Sequence, residues 1–194
     1  MTSKLEGRAA TMASSLAAAV RAVGLGEADV TTIGRAFALA VAPRVAALDD
    51  DHHPAYLHPG RSTLILIHDV GPVEPRVLVA ACLHESLDEA LRLPVDELQA
   101  ILSPAQLDAF RTIPLPGEER LLERLITLEE GIGLSVLAEW LDQLRHLHMR
   151  RELSASWAQL HEEVLGVWLP FARRSHPKVA IRFEHWARVF TKRL

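Results

Sequence analysis

Residues 80–91 read AACLHESLDEAL, an apolar run that changes at His84 into a histidine followed by three acids, Glu85, Asp88 and Glu89. At about 100° per residue, these four side chains share one face of a helix over little more than a turn. Three carboxylates grouped in this way repel one another unless a cation joins them. Imidazole and carboxylate together are ligands for a divalent ion. Such an ion lowers the pKa of a water molecule and offsets charge on a phosphoryl group under attack. The plainer alternative is a solvated helix end, because acids at i, i+3 and i+4 are common on surfaces.

Two further segments carry residues of the same chemical type. LAEWLDQLRHLHM, residues 137–149, has the pattern of an amphipathic helix with apolar positions at Leu137, Trp140, Leu141, Leu144 and Leu147. Asp142 and His146 lie four apart in it and so share a face. The segment AYLHP places Tyr56 shortly before His58-Pro59. Together, His58, His84, Glu85 and Asp142 suffice for a four-ligand metal site assembled from three remote segments.

The order and spacing of these segments resemble the HD superfamily of metal-dependent phosphohydrolases. Within it they are similar to the alarmone hydrolases of the RelA/SpoT group and their small single-domain metazoan homologues. That family carries a Y-x-x-HP loop, an apolar helix ending LLHD-x-x-ED, and a later helix reading LAD-x-L-x-N. Here the corresponding text is AYLHP, CLHESLDE and WLDQLRH, and the 26 residues from His58 to His84 agree with the family's gap. The resemblance runs from about residue 30 to the end. It implies that His58, His84, Glu85 and Asp142 are metal ligands, and that Asp88 and Glu89 position or deprotonate the attacking water. It also implies that His146 and Tyr56 contact substrate, and Arg145, in the basic group closest in sequence to these residues, is a candidate for phosphate contact.

The implied cofactor is Mn2+, with Fe2+, Zn2+ and Mg2+ as alternatives. The implied reaction is metal-dependent removal of pyrophosphate from the ribose 3′ position of the guanosine alarmone (p)ppGpp. Four departures bear on that expectation. Glu85 replaces the aspartate of the name-giving dyad, Asp88-Glu89 reverses the acid order, and His146 stands in place of asparagine. Asp49, Asp50 and Asp51 occupy a stretch where the family has a basic pair for the nucleotide. A phosphatase acting on another nucleotide (a nucleoside monophosphate or NADPH) and a non-catalytic binding module are the competing readings.

The elements that must position these residues read almost entirely as helix. Ala, Leu, Glu and Arg dominate, and no period-two alternation is sustained. The expected fold is an all-α helical bundle of about eight to ten helices. Residues 1–28 form an extra helix or arm, and residues 29–194 form an HD-type domain. The helix bearing His84 is expected over Pro75–Arg92. His68-Asp69, a literal HD dipeptide before Gly71-Pro72, lacks an acidic pair at the required offset and reads as turn structure.

The composition narrows the partners. A net charge of −4 gives no basic footprint for nucleic acid. The single cysteine, Cys82, excludes an internal disulfide and any site with more than one thiolate. The longest uncharged apolar stretch is far short of a bilayer span. The expected setting is cytoplasmic, with a small-molecule nucleotide as partner, no nucleic acid, no membrane, and a homodimer as a further option.

Overall fold

Helix-favouring composition combined with well-placed proline sets the element boundaries. Proline lies in the first turn of five described helices, because a first-turn residue has no intrahelical use for its N–H. The computed structural model describes residues 4–47, 54–86, 92–114, 118–147 and 156–191. Among the described residues there is no strand, as expected for an all-α bundle, and no helix is long and apolar enough to cross a membrane.

In chain order, α1 (Lys4–Ala22) and α2 (Glu27–Ala47) form a hairpin, followed by a 3-10 turn (Pro54–Leu57). Next come α3 (His58–Ile65), a π turn (Leu66–Val70) and α4 (Pro75–Leu83). Three shorter helices follow: α5 (Val95–Gln99), α6 (Pro104–Arg111) and α7 (Leu121–Ile126). The long α8 (Glu130–His146) precedes α9 (Trp157–Glu163), a second π turn (Val164–Trp168), α10 (Leu169–Ser175) and α11 (Pro177–Phe190). Pro43 lies inside α2, which runs on to Ala47.

Helices α3, α4 and α8 pack on one another, α2 packs on α4, and α1 lies across α2 and α3. Helix α4 is apolar all round, with every residue from Val77 to Leu83 buried, so it forms the central rod of the core. It is shorter than its sequence suggests: the helix expected to reach Arg92 stops at Leu83. Ser86 N–H bonds back to the Leu83 carbonyl at 2.8 Å, tightening the last turn, and Leu93 N–H donates to the Ser86 carbonyl at 3.0 Å. The returning chain therefore satisfies the carbonyl that another helical turn would have used.

Two glycines allow this close packing. A Cβ on Gly131, in the first turn of α8, would stand 2.7 Å from Val77 Cγ2 on α4. A Cβ on Gly60 of α3 would stand 2.7 Å from Met12 Cγ of α1 and 2.8 Å from Phe37 Cε2 of α2. Leu16 and Val20 of α1 are fully buried in the same core, so this first helix packs as part of the bundle. Met12 is flexible, but Phe37 is buried and stiff. Gly60→Ala is therefore expected to lower stability by about 1–2 kcal/mol, because overpacking outweighs the gain in helix propensity. Urea denaturation should show a lower midpoint with an unchanged slope.

Candidate metal centre

The ends of α3, α4 and α8 bring four side chains together. His58 opens α3, His84 caps α4 with Glu85 next to it, and Glu139 lies midway along α8. Each offers one ligand atom, and these atoms all lie within 4.8 Å of one another. The His58 and His84 rings meet edge to face with centroids 5.5 Å apart. Nε2 of each ring is buried and has no hydrogen-bond partner. Glu85 Oε1 stands 3.9 Å from His58 Nε2, and Glu139 Oε2 stands 3.8 Å from His84 Nε2.

Every one of these groups is held from behind. His58 Nδ1 lies 2.7 Å from Asp142 Oδ2, and His84 Nδ1 lies 2.8 Å from the Ala81 carbonyl oxygen. Both partners are acceptors, so the proton sits on Nδ1 of each ring and the Nε2 lone pair faces the cluster. Glu139 accepts from Gln143 Nε2 through its Oε1, one turn along α8. Glu85 accepts from Arg44 through its Oε2, which leaves Oε1 on the cluster side. Outer partners that fix imidazole tautomer and carboxylate orientation are the usual support of a metal site.

Asp142 is the centre of that outer layer. Arg61 Nε donates to Asp142 Oδ1 at 2.9 Å, Arg61 Nη2 to Oδ2 at 2.8 Å, and His146 Nδ1 lies 3.4 Å from Oδ1. Burial alone would raise the Asp142 carboxyl. The hydrogen bonds from His146, His58 and Arg61 outweigh it and hold that carboxyl well below the usual carboxylate range. The bond to Asp142 in turn raises His146 above its ordinary value. Burial likewise pushes Glu85 up, but His84, His58 and the Arg44 guanidinium together bring it below its ordinary value. Burial dominates at His84 and lowers it from 6.5 to about 4, so this ring is neutral at physiological pH, as a metal ligand must be.

The structure thus brings His58, His84 and Glu85 together among the expected ligands. It puts Glu139 in the fourth place, and Asp142 instead stands behind His58. Asp142 is 2% exposed, and both its oxygens are taken by Arg61, His58 and His146. His146 Nδ1 also lies 2.9 Å from the Asp142 backbone carbonyl oxygen, and His146 is not one of the cluster of four. Arg145 pairs with Asp69 at 3.2 Å and is not one of that cluster. Tyr56 is fully buried with an unpartnered hydroxyl, so contact with a substrate would require its segment to open. Asp88, Glu89 and the acidic stretch Asp49–Asp51 lie outside the described residues.

Glu139, Arg44, Arg61 and Gln143 were not singled out by the sequence. A signal for Glu139 existed: with Asp142, Gln143 and His146 it forms an i, i+3, i+4, i+7 polar stripe on a helix whose apolar positions are mostly buried. Cys82 stays out of the cluster. Its thiol is pushed up to about 12 by burial, opposed by the hydrogen bond with Thr63 at 3.1 Å, so it is no thiolate ligand. Comparisons with family models, curated proteins and solved structures find no match for this chain.

The depressed His84 value has a consequence for the metal-free protein. Between its ordinary value of 6.5 and about 4, the unfolded chain binds a proton that the folded chain does not. Stability therefore falls with pH across that window, by about 2 kcal/mol from about pH 7.5 to about pH 5 for this group. Urea titrations of chelated protein at the two pH values should show this loss, and His84→Asn should show a smaller one.

Proposed function

We propose that the chain is a divalent-metal-dependent phosphohydrolase that holds its ion through His58, His84, Glu85 and Glu139. Its substrate is a nucleotide of the guanosine alarmone class, cleaved at the 3′-pyrophosphate. The observation that carries this reading is the pair of buried imidazole nitrogens with no partner, both aimed at two carboxylates and both fixed in the tautomer that leaves a lone pair for a cation. Two unpartnered nitrogens in a buried site are costly unless something binds them.

The charges support an anionic substrate. Glu85, Glu139 and Asp142 contribute three negative charges and Arg44 and Arg61 two positive ones, so the neutral-imidazole site carries a net charge of −1. A divalent ion would reverse that sign and draw a phosphate towards it. The ion supplies Lewis acidity for water activation and charge neutralisation. The protein's own residues do the rest. Asp142 and the Ala81 carbonyl hold the imidazoles, and Gln143 and Arg44 hold the carboxylates. Asp88 and Glu89, three and four residues beyond Glu85, are the candidates for accepting the proton from water.

The donor set is imidazole and carboxylate without thiolate, which suits manganese first and also iron, zinc or magnesium. Metal analysis of the purified protein should give one ion per chain. His84→Ala and Glu139→Gln should abolish that ion and manganese-dependent alarmone turnover while far-UV circular dichroism is retained. Asp142→Asn, which removes the anchor behind His58 and no direct donor, should weaken metal affinity about tenfold to a hundredfold and leave binding measurable. Absence of metal binding in the wild type would overturn the whole reading. Metal binding with cleavage of another nucleotide and none of the alarmone would overturn only the substrate class.

A further inference from the structure

A second cluster of charge adjoins Asp142. A cavity of about 340 Å³ is lined there by Arg61, Arg145 and Arg182, together with His68 and His146. None of His58, His84, Glu85 and Glu139 lines it. Among its described lining residues Arg145 and Arg182 converge on one acid, Asp69, so these two guanidiniums carry one more positive charge than the carboxylate they share.

The arrangement is built from the interior. The π turn Leu66–Val70, a geometry that often marks functional sites, extends α3 and buries Asp69. Asp69 Oδ2 accepts from Arg145 Nη2 at 3.2 Å, and Asp69 Oδ1 accepts from Arg182 Nη2 at 2.7 Å and Nε at 3.2 Å. One buried aspartate thus anchors two arginines from α8 and α11 side by side. The side chains of Arg145 and Arg182 remain 41% and 53% exposed. A paired, preoriented set of guanidiniums is what a tetrahedral oxyanion selects, because each presents planar N–H edges to oxygen.

We infer that this cavity is a binding site for a phosphate-class oxyanion, separate from the metal centre, with Arg145 and Arg182 as its principal donors. The same two arginines also form one wall of a neighbouring apolar cavity of about 220 Å³ that includes Trp186, Val189 and Phe190. The oxyanion is therefore either free phosphate or the head group of a phosphate ester whose apolar body lies in that second cavity.

The test uses chelated full-length protein, so that it does not depend on the metal centre. Inorganic phosphate and phenyl phosphate are titrated calorimetrically against chloride at matched ionic strength. Saturable binding of either anion is expected, tighter for the ester if the apolar cavity takes part. Arg182→Gln and Arg145→Gln should each weaken it at least about tenfold, the loss of one charge-assisted donor. Both variants should keep the wild-type circular dichroism spectrum and metal content. No saturable binding of either anion overturns the inference, and so does binding that neither substitution weakens. Should one variant fail to fold, the other still decides.

Discussion

The bonds from Arg61 and His58 to the Asp142 carboxylate join α3 to α8 at the place where the site forms. A buried carboxylate of this kind adds little net stability, because desolvation offsets most of the attraction. Its value is orientational. With both oxygens occupied, Asp142 allows one tautomer and one ring plane for His58, and the ring then presents its second nitrogen to Glu85. Helix α3 cannot rotate on α8 without breaking the hydrogen bonds of His58 and Arg61 to a charged group. Removing the carboxylate would take from Arg61 and His58 the charged partner that they share.

From that anchor, charge alternates through the interior. Arg61 meets Asp142, the two imidazoles follow, then Glu139 and Glu85, and Arg44 closes the series from α2. Arg44 is itself fixed at both ends, donating to the Ala40 carbonyl at 2.6 Å and to Glu85. Four helices therefore contribute to one electrostatic unit. The apolar face of each is what brings them into register, and α4, buried on every side, is the common partner.

Much of this was legible in the chain. Helix-period patterning and first-turn prolines gave the elements, and the histidine-acid pair after an apolar run marked two of the converging side chains. His58-Pro59 pointed to the second imidazole. What sequence could not supply was which carboxylate of α8 faces the histidines. Glu139 and Asp142 lie one turn apart on the same face, and only the height of α3 against α8 decides that Asp142 meets Nδ1 of His58 while Glu139 reaches the pair of Nε2 atoms. Arg44 and Arg61 escaped notice for a related reason. Their partners are 41 and 81 residues away, and an arginine on a helix reads as solvated until its tertiary neighbour is known. The end of α4 was misjudged because helix propensity continues past Leu83, whereas the Ser86 carbonyl is taken by the N–H of Leu93, seven residues on.

The imidazoles of the cluster are 7% and 4% exposed, and Glu85 and Glu139 are 18% and 14% exposed. The centre is sealed on its nitrogen side and reaches solvent through its carboxylates. An ion bound there would shed most of its hydration on entry and regain it on departure past those two acids, so its exchange would be slow compared with a surface site. The metal found in a preparation would then record what was abundant when the chain folded, and occupancy would reflect history as much as intrinsic preference.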